Sequence, residues 1–318
     1  MEANVSICIP VYNGAKWLKD CLESACACTV AGEIIVCDDR STDNSVSIAE
    51  GFAKKDKRVR VQRNPKNLGL VGNWNRCLEL AKLEWIKFLF QDDRLQPGSV
   101  EKMVQAAVTE THFIAAKRNY VFGPDSSAES KEYYTKEVLT LDNTVPGTTD
   151  FTPQRIASMS VIHIARNFIG EPSTVMFRRS LVSSLGNFDT AFRQICDLEY
   201  WLRIASVHGL LYVPEAVIDF TIHDDSVSAQ NAAQRRSGFD AILLVDRMLH
   251  AEQYRSMRAL LSSSELRKLL LWLRVQTYEL RVAAPQVAEK FFAEHPHLGL
   301  IAKRFGNGLL YRLARLRR

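Results

Sequence analysis

Two adjacent carboxylates, Asp92 and Asp93, directly follow the apolar run Ile86-Lys87-Phe88-Leu89-Phe90. Neighbouring acids at a strand end repel each other, so the pair is unfavourable unless a cation or hydrogen-bond donors offset it. Oxygen ligands of this kind suit Mg²⁺ or Mn²⁺, which keep some water and complete their shells with substrate phosphates. By residue type alone the same aspartates also serve to cap the helix that Pro97-Gly98 opens. A second acidic turn, Asp38-Asp39-Arg40-Ser41-Thr42-Asp43, follows another apolar run, and it too reads either as a site or as ordinary turn and cap chemistry. Tyr12 and Asn13 offer a ring for stacking and an amide for hydrogen bonding. Asp197 stands at the start of an apolar-periodic segment, where a carboxylate either caps a helix or acts as a general base. Glu199, two residues on, is the alternative base. His223 follows a late apolar run and is either a metal ligand or a structural imidazole.

These residues need elements to position them, and the first hundred residues supply them in alternation. Strands are predicted over 5–9, 33–37, 59–62 and 85–90, and helices over 15–27, 41–54 and 71–82. Ser41 or Asp43 is the expected cap of the second helix. Such alternation implies βαβ crossovers and a mainly parallel sheet covered on both faces. Open sheets of that kind bind ligands outside the carboxyl ends of their strands. The loops at 10–14, 37–43, 64–72 and 91–96 are therefore where chemistry is expected. Further along, a strand near 111–118 precedes a mobile loop or short hairpin. Strand-like 172–178, a helix over 197–206 and strands over 210–213 and 217–222 complete this part. Beyond Asn231 the composition turns to long helices rich in Leu, Arg, Ala and Glu. The expected division is residues 1–230, with halves 1–110 and 111–230, followed by a helical module at 231–318.

Taken together and in order, the motifs resemble the family 2 glycosyltransferases, whose fold is the α/β GT-A type. The resemblance covers roughly residues 4–225. It rests on Val5-Ser6-Ile7-Cys8-Ile9-Pro10-Val11-Tyr12-Asn13-Gly14, on the acidic turn at 38–43, on Asn67-Leu68-Gly69-Leu70 and on Gln91-Asp92-Asp93-Arg94-Leu95-Gln96-Pro97-Gly98. In the second half, 169–179 and Cys196-Asp197-Leu198-Glu199-Tyr200-Trp201-Leu202-Arg203 are similar to the family's acceptor segments. The resemblance implies that Pro10, Tyr12, Asn13 and Asp39 hold the nucleotide and that Asn67 and Gly69 lie beside the donor. It implies that Gln91, Asp92 and Asp93 form the diphosphate and metal site, with Asp93 and His223 as ligands of Mn²⁺ or Mg²⁺. Asp197 is then the general base of an inverting displacement. The sequence departs from the pattern at three points: Phe90 or Gln91 occupies the place of the first acid, Arg40 that of a glycine, and Cys196 that of a glutamate.

The implied activity is transfer from a nucleotide-sugar to a glycan or lipid-linked acceptor, in cell-surface polysaccharide synthesis. UDP-sugar is the first expectation and dTDP-sugar the second. Two rivals stand beside it. A nucleotidyltransferase would normally carry a Gly-rich, basic loop after the first strand, where Pro10–Gly14 has one glycine. A nucleotide-binding protein without turnover is the other, and loss of activity on changing Asp197 excludes it.

Composition bounds the partners. A net charge of +5, partly from the acid-free run 303–318, does not describe a nucleic-acid-binding body. Leu309, Leu313 and Leu316 interleave with Arg312, Arg315 and Arg317 as in a helix lying on an anionic membrane surface. The alternative is a helix packed on the body or on a second subunit of a homo-oligomer. Residues 1–4 carry no signal-peptide features. No run approaches the ~18 uncharged apolar residues that span a bilayer. Seven cysteines without regular spacing read as free thiols. A cytoplasmic location is expected, with peripheral attachment to the inner face of the membrane as its extension.

Overall fold

The computed structural model describes residues 3–123, 126–223 and 237–316, the last segment with side chains from 238 to 307. The membrane-facing expectation for Leu309, Leu313, Leu316 and the arginines among them therefore falls outside the described side chains, although the backbone is helical as far as Leu316.

The chain opens β1 (Val5–Val11), α1 (Leu18–Ala27), β2 (Ala31–Asp38), α2 (Ser45–Ala53), β3 (Val59–Arg63), α3 (Gly69–Leu80) and β4 (Trp85–Phe88). β3, β2, β1 and β4 are neighbours in that order and all pair in parallel. Their near-continuous apolar runs follow from burial on both faces. Val5, Ile7, Ile9 and Val11 of β1 and Ile34 and Val36 of β2 point to the core beneath α1 and α2. The intervening Cys8, Ile35 and Cys37 point to the opposite core, under α3. All seven cysteines are free thiols. The predicted α2 begins later than expected. Its N-cap is Asn44, which makes no side-chain cap, while Asp43 Oδ1 accepts the Ser45 N–H from one position further out. Ser41 does not cap the helix, because its Oγ is used by the Asn13 N–H instead.

The second half adds β5 (Arg94–Leu95), α4 (Ser99–Ala106), β6 (Phe113–Phe122), α5 (Ala128–Glu132), a π-turn (Tyr133–Glu137), α6 (Leu141–Thr144), β7 (Asp150–Phe151), α7 (Pro153–Ile162), a 3₁₀ turn (Pro172–Thr174), β8 (Val175–Arg178), α8 (Ser180–Leu185), α9 (Cys196–His208) and β9 (Leu210–Ile222). The sheet continues from β4 through β8, β6 and β9 to β5. Here pairing is mixed: β4–β8, β6–β8, β5–β9 and β7–β9 are antiparallel, and β6–β9 is parallel. Parallel pairing is thus complete only in the first half.

Three expectations change in this half. The two late strands are one strand, β9, whose register against β6 jumps from Val213 to Ala216. Pro214 lies in that jump, where a bulge removes the need for its missing N–H. The loop or hairpin expected after 118 is instead the end of β6 followed by short helices. Helix α7 was unforeseen, although Thr152 caps it and Pro153 fills its first turn.

After residue 236 the chain is helical: α10 (Ser237–His250), a 3₁₀ turn (Glu252–Tyr254), α11 (Arg255–Leu260), α12 (Ser263–Ala283), α13 (Pro285–Glu294) and α14 (Pro296–Leu316). Leu244, Val245, Met248, Tyr254, Met257, Leu269, Leu273 and Leu298 belong to the same apolar cluster as Trp201, Phe177 and Phe113 under the sheet. These helices therefore brace α7 and α9. No helix among the described residues is long and apolar enough to cross a membrane.

Candidate active site

The loops at the carboxyl ends of β1, β2 and β4 are tied to one another by side chains that the sequence placed there separately. The Gln91 amide pairs with the Tyr12 peptide: its Oε1 accepts the Tyr12 N–H at 3.0 Å and its Nε2 donates to the Tyr12 carbonyl at 3.3 Å. A Cβ on Gly14 would sit 2.2 Å from Gln91 Oε1, so glycine here makes room for that pair. Asn13, at φ 50°, donates its N–H to Ser41 Oγ and accepts the Thr42 N–H at Oδ1. Tyr12 is 51% exposed, and an aromatic side chain so placed can cover a flat ligand. Pro10 is the last but one residue of β1, opposite Cys37.

Asp39 is buried, and its carboxylate is the hub of the next loop. Oδ1 accepts from Asn64 Nδ2 and the Leu68 N–H, and Oδ2 accepts the Gly69 N–H at 2.9 Å. Asn67 Nδ2 donates to the Asp39 carbonyl. These bonds hold the start of α3 against the acidic turn. Gly69 has φ +76° and open space around its Cβ position, so conformation rather than close packing calls for glycine within the protein. Arg40 has φ 68°, a conformation that costs an L-residue roughly 1–2 kcal/mol.

The acidic pair behaves asymmetrically. Asp92 Oδ2 lies 3.0 Å from His223 Nε2, and the imidazole stacks on Trp17 with ring centroids 5.2 Å apart. Asp93 is buried, with Oδ1 accepting the Thr221 N–H at 3.1 Å and the Ser173 hydroxyl nearby, and Oδ2 makes no well-formed hydrogen bond among the described residues. Burial, then the charge of Asp92, pushes the Asp93 carboxyl well above its usual range. An unpartnered carboxylate oxygen beside a second acid is what a divalent cation would satisfy. No three metal-ligating side chains converge among the described residues. Asp93 and the Asp92–His223 pair fit an ion that takes its remaining ligands from a diphosphate and water. Beneath them Lys87 is fully buried and donates to the Phe88 and Ser173 carbonyls. Burial lowers its pKa to about 7, while the Asp93 charge opposes that shift. Lys87 was passed over as part of an apolar strand. The clue was a single cation inside a run of buried positions.

Asp197 lies in the first turn of α9 and is partly exposed. Its Oδ1 accepts the Leu198 N–H at 2.7 Å and Oδ2 accepts from Asn167 Nδ2 at 2.9 Å. Burial raises its pKa from 3.8 to about 7; Glu171 adds to the rise, and the Leu198 and Asn167 hydrogen bonds oppose it. That value suits a group that must take a proton near neutrality. Glu199 is in a different situation. It is wholly buried, 2.9 Å from Arg203 Nη2, and accepts from Gln253 Nε2 and the Tyr254 hydroxyl. It ties α9 to the C-terminal helices. Asp240 of α10 does similar work, its Oδ2 accepting the N–H groups of Arg193, Gln194 and Ile195 just before α9. Neither contact was legible in sequence, because both join segments far apart in the chain. Glu171 acts on both carboxyls, its charge raising the pKa of Asp93 and of Asp197.

The fold is that of known proteins. The model for glycosyl transferase family 2 matches residues 6–164. An uncharacterized protein of Mycobacterium tuberculosis is 32% identical over 72% of this chain and 68% of its own. Chondroitin synthase of Pasteurella multocida is 25% identical over 74% of this chain, but the match spans only 22% of that longer protein. Among solved structures, S. aureus TarS in complex with UDP-GlcNAc aligns with a TM-score of 0.58 at 14% identity, over 97% of this chain and 92% of that one. The mannosyltransferase PcManGT from Pyrobaculum calidifontis, in complex with GDP-Man and Mn²⁺, aligns at 0.55 with 15% identity, over 93% and 80%. At such identities these two likenesses speak for the fold, and the family match and the mycobacterial relative carry the assignment: the chain belongs to glycosyl transferase family 2 and is a glycosyltransferase.

Proposed function

We propose that the protein transfers a sugar from a nucleotide diphosphate-sugar, a UDP-sugar first and a dTDP-sugar second, to a hydroxyl of a glycan or lipid-linked acceptor. The observation that carries this reading is the presence of a buried Asp93 oxygen without a hydrogen bond and an Asp197 carboxyl poised near 7, both under the charge of Glu171. Chondroitin synthase among the relatives favours polysaccharide synthesis as the setting.

In this reading Tyr12 covers the base, while Asn13, Asp39, Asn67 and Gly69 shape its pocket. Asp93 and His223, with Asp92 beside them, would hold Mn²⁺ or Mg²⁺, which would supply charge to stabilise the leaving diphosphate. Asp197 takes the proton of the acceptor hydroxyl as its oxygen attacks the anomeric carbon. The bond to the diphosphate breaks on the opposite face, with inversion. Asn167 and the Leu198 N–H fix the carboxylate, one at each oxygen, and each oxygen keeps a lone pair for the proton. Residues 1–230 act as the catalytic unit, and the helices from 237 onward steady α9. The basic run 303–318 suits attachment to an anionic inner-membrane surface, close to a lipid-linked acceptor.

Release of UDP from a panel of UDP-sugars, with and without Mn²⁺, tests the assignment. Wild type is expected to release it in a metal-dependent way and Asp197→Asn to release at least about a hundredfold less with acceptor present. Equal rates from both proteins would remove Asp197 from the chemistry.

A further inference from the structure

A cavity of about 230 Å³ lies between β6, β9 and the start of α6, lined among others by Lys117, Arg118, Tyr120, Asp142, Ile169 and Tyr212. None of these side chains takes part in the donor site. The cavity nevertheless shares a segment with the candidate base. Ile169 forms part of its wall, and two residues earlier Asn167 holds Asp197.

Arg118 is the unusual member. Its side chain is 4% exposed, its Nε lies 2.8 Å from Glu171 Oε2 and 3.1 Å from the Tyr120 hydroxyl, and its guanidinium rests over the Tyr120 ring. Its Nη2 is buried without a partner among the described residues. A buried guanidinium donor left unpaired is costly, so an acceptor atom is expected to arrive there. The two cations lining the cavity are each already paired, Arg118 with a carboxylate from outside the lining. Lys117 pairs with Asp142 at 3.5 Å, and Arg118 with Glu171. An anion would gain little from cations that are already paired. A neutral ring bearing hydroxyls can accept from Arg118, donate to Asp142 and lay its C–H face on tyrosine.

We propose that this cavity is an acceptor subsite, which seats a neutral, hydroxyl-rich sugar ring next to the one whose hydroxyl faces Asp197. The inference rests on the glycosyl-transfer reading above. It adds a class of acceptor, a neutral glycan at least two residues long, and names Arg118 and Asp142 as the residues that recognise it.

Saturation-transfer NMR on the full chain with UDP and Mn²⁺ provides the test, using lactose and N,N′-diacetylchitobiose as neutral probes and digalacturonate as an acidic one. The expected result is transfer to a neutral disaccharide, weaker or absent for digalacturonate. Affinity should fall at least about tenfold in both Arg118→Lys and Asp142→Asn. Arg118→Lys keeps the ion pair with Glu171 but loses the planar fork, and Asp142→Asn alters a side chain that is 36% exposed, so it leaves the fold alone. UDP affinity, measured in parallel, should stay within about twofold in both variants. Neutral probes that bind equally to all three proteins, no neutral probe binding at all, or a preference for digalacturonate would each overturn the subsite. Loss of UDP binding by wild type would instead strike the donor reading, and the sugar titrations would still decide the cavity.

Discussion

Replacing Asp197 with Asn should make the enzyme less active and, above neutral pH, more stable. The carboxyl has an ordinary value of 3.8 and is raised to about 7, chiefly by burial. A group whose folded-state value lies above its unfolded one contributes stability below the unfolded value, and that contribution is lost as pH rises through the folded value. The full rise corresponds to about 4 kcal/mol. Partial exposure of the side chain lets water screen the charge, and roughly half, about 2 kcal/mol, is a sounder figure. The variant also turns an amide nitrogen toward Asn167 Nδ2, or gives up the Leu198 bond, at about 1 kcal/mol. The net gain at pH 8 is then about 1 kcal/mol, or roughly 1–2 °C in Tm for a chain of this length. At pH 5 the folded carboxyl is already protonated, so the gain should shrink to zero or change sign. Thermal unfolding of both proteins across pH 5 to 8 measures the difference. A difference that does not grow with pH would refute the argument from burial. Activity retained in the variant would refute the role of Asp197 as base.

Three further perturbations address the supporting residues. Arg40→Gly should stabilise by about 0.5–1 kcal/mol, because it relieves a positive φ while giving back some chain entropy; chemical denaturation that shows a loss would contradict the strain. Gly14→Ala and Gln91→Ala should each raise the UDP Kd by several-fold, since either one breaks the Gln91–Tyr12 pair, and the double variant should be no worse than the single ones. Glu199→Ala should cost about 3–5 kcal/mol by leaving Arg203 buried and unpaired, yet leave turnover per folded molecule close to wild type. Turnover lost in the still-folded fraction would return Glu199 to candidacy as the base.

The parts of this site that were legible in sequence are those made by a single strand end. Asp92-Asp93 after β4 and the acidic turn after β2 could be placed because an apolar run followed by an acidic loop locates a strand terminus in an α/β sheet. Family resemblance, rather than periodicity, singled out Asp197, since a carboxylate at a helix start is more often a cap. What stayed hidden depends on partners distant in the chain. The Gln91–Tyr12 pair spans 79 positions and the Glu199–Gln253 bond 54, and no local pattern announces either. The fold showed the same division. The parallel half alternates cleanly and was read to within a few residues. The region after 118 was misread because its short helices are too brief for an amphipathic period to show. The strands expected at 210–213 and 217–222 are one, because the sheet absorbs Pro214 in a bulge.

Calorimetric titration of the purified protein with UDP, dTDP and GDP, each with and without Mn²⁺ and repeated on Asp93→Ala, tests the central claim most directly. The account predicts Mn²⁺-dependent binding of UDP ahead of the other two, lost in the variant. Binding of none of the three, or binding indifferent to both Mn²⁺ and Asp93, would contradict the donor site placed at the carboxyl ends of β1, β2 and β4.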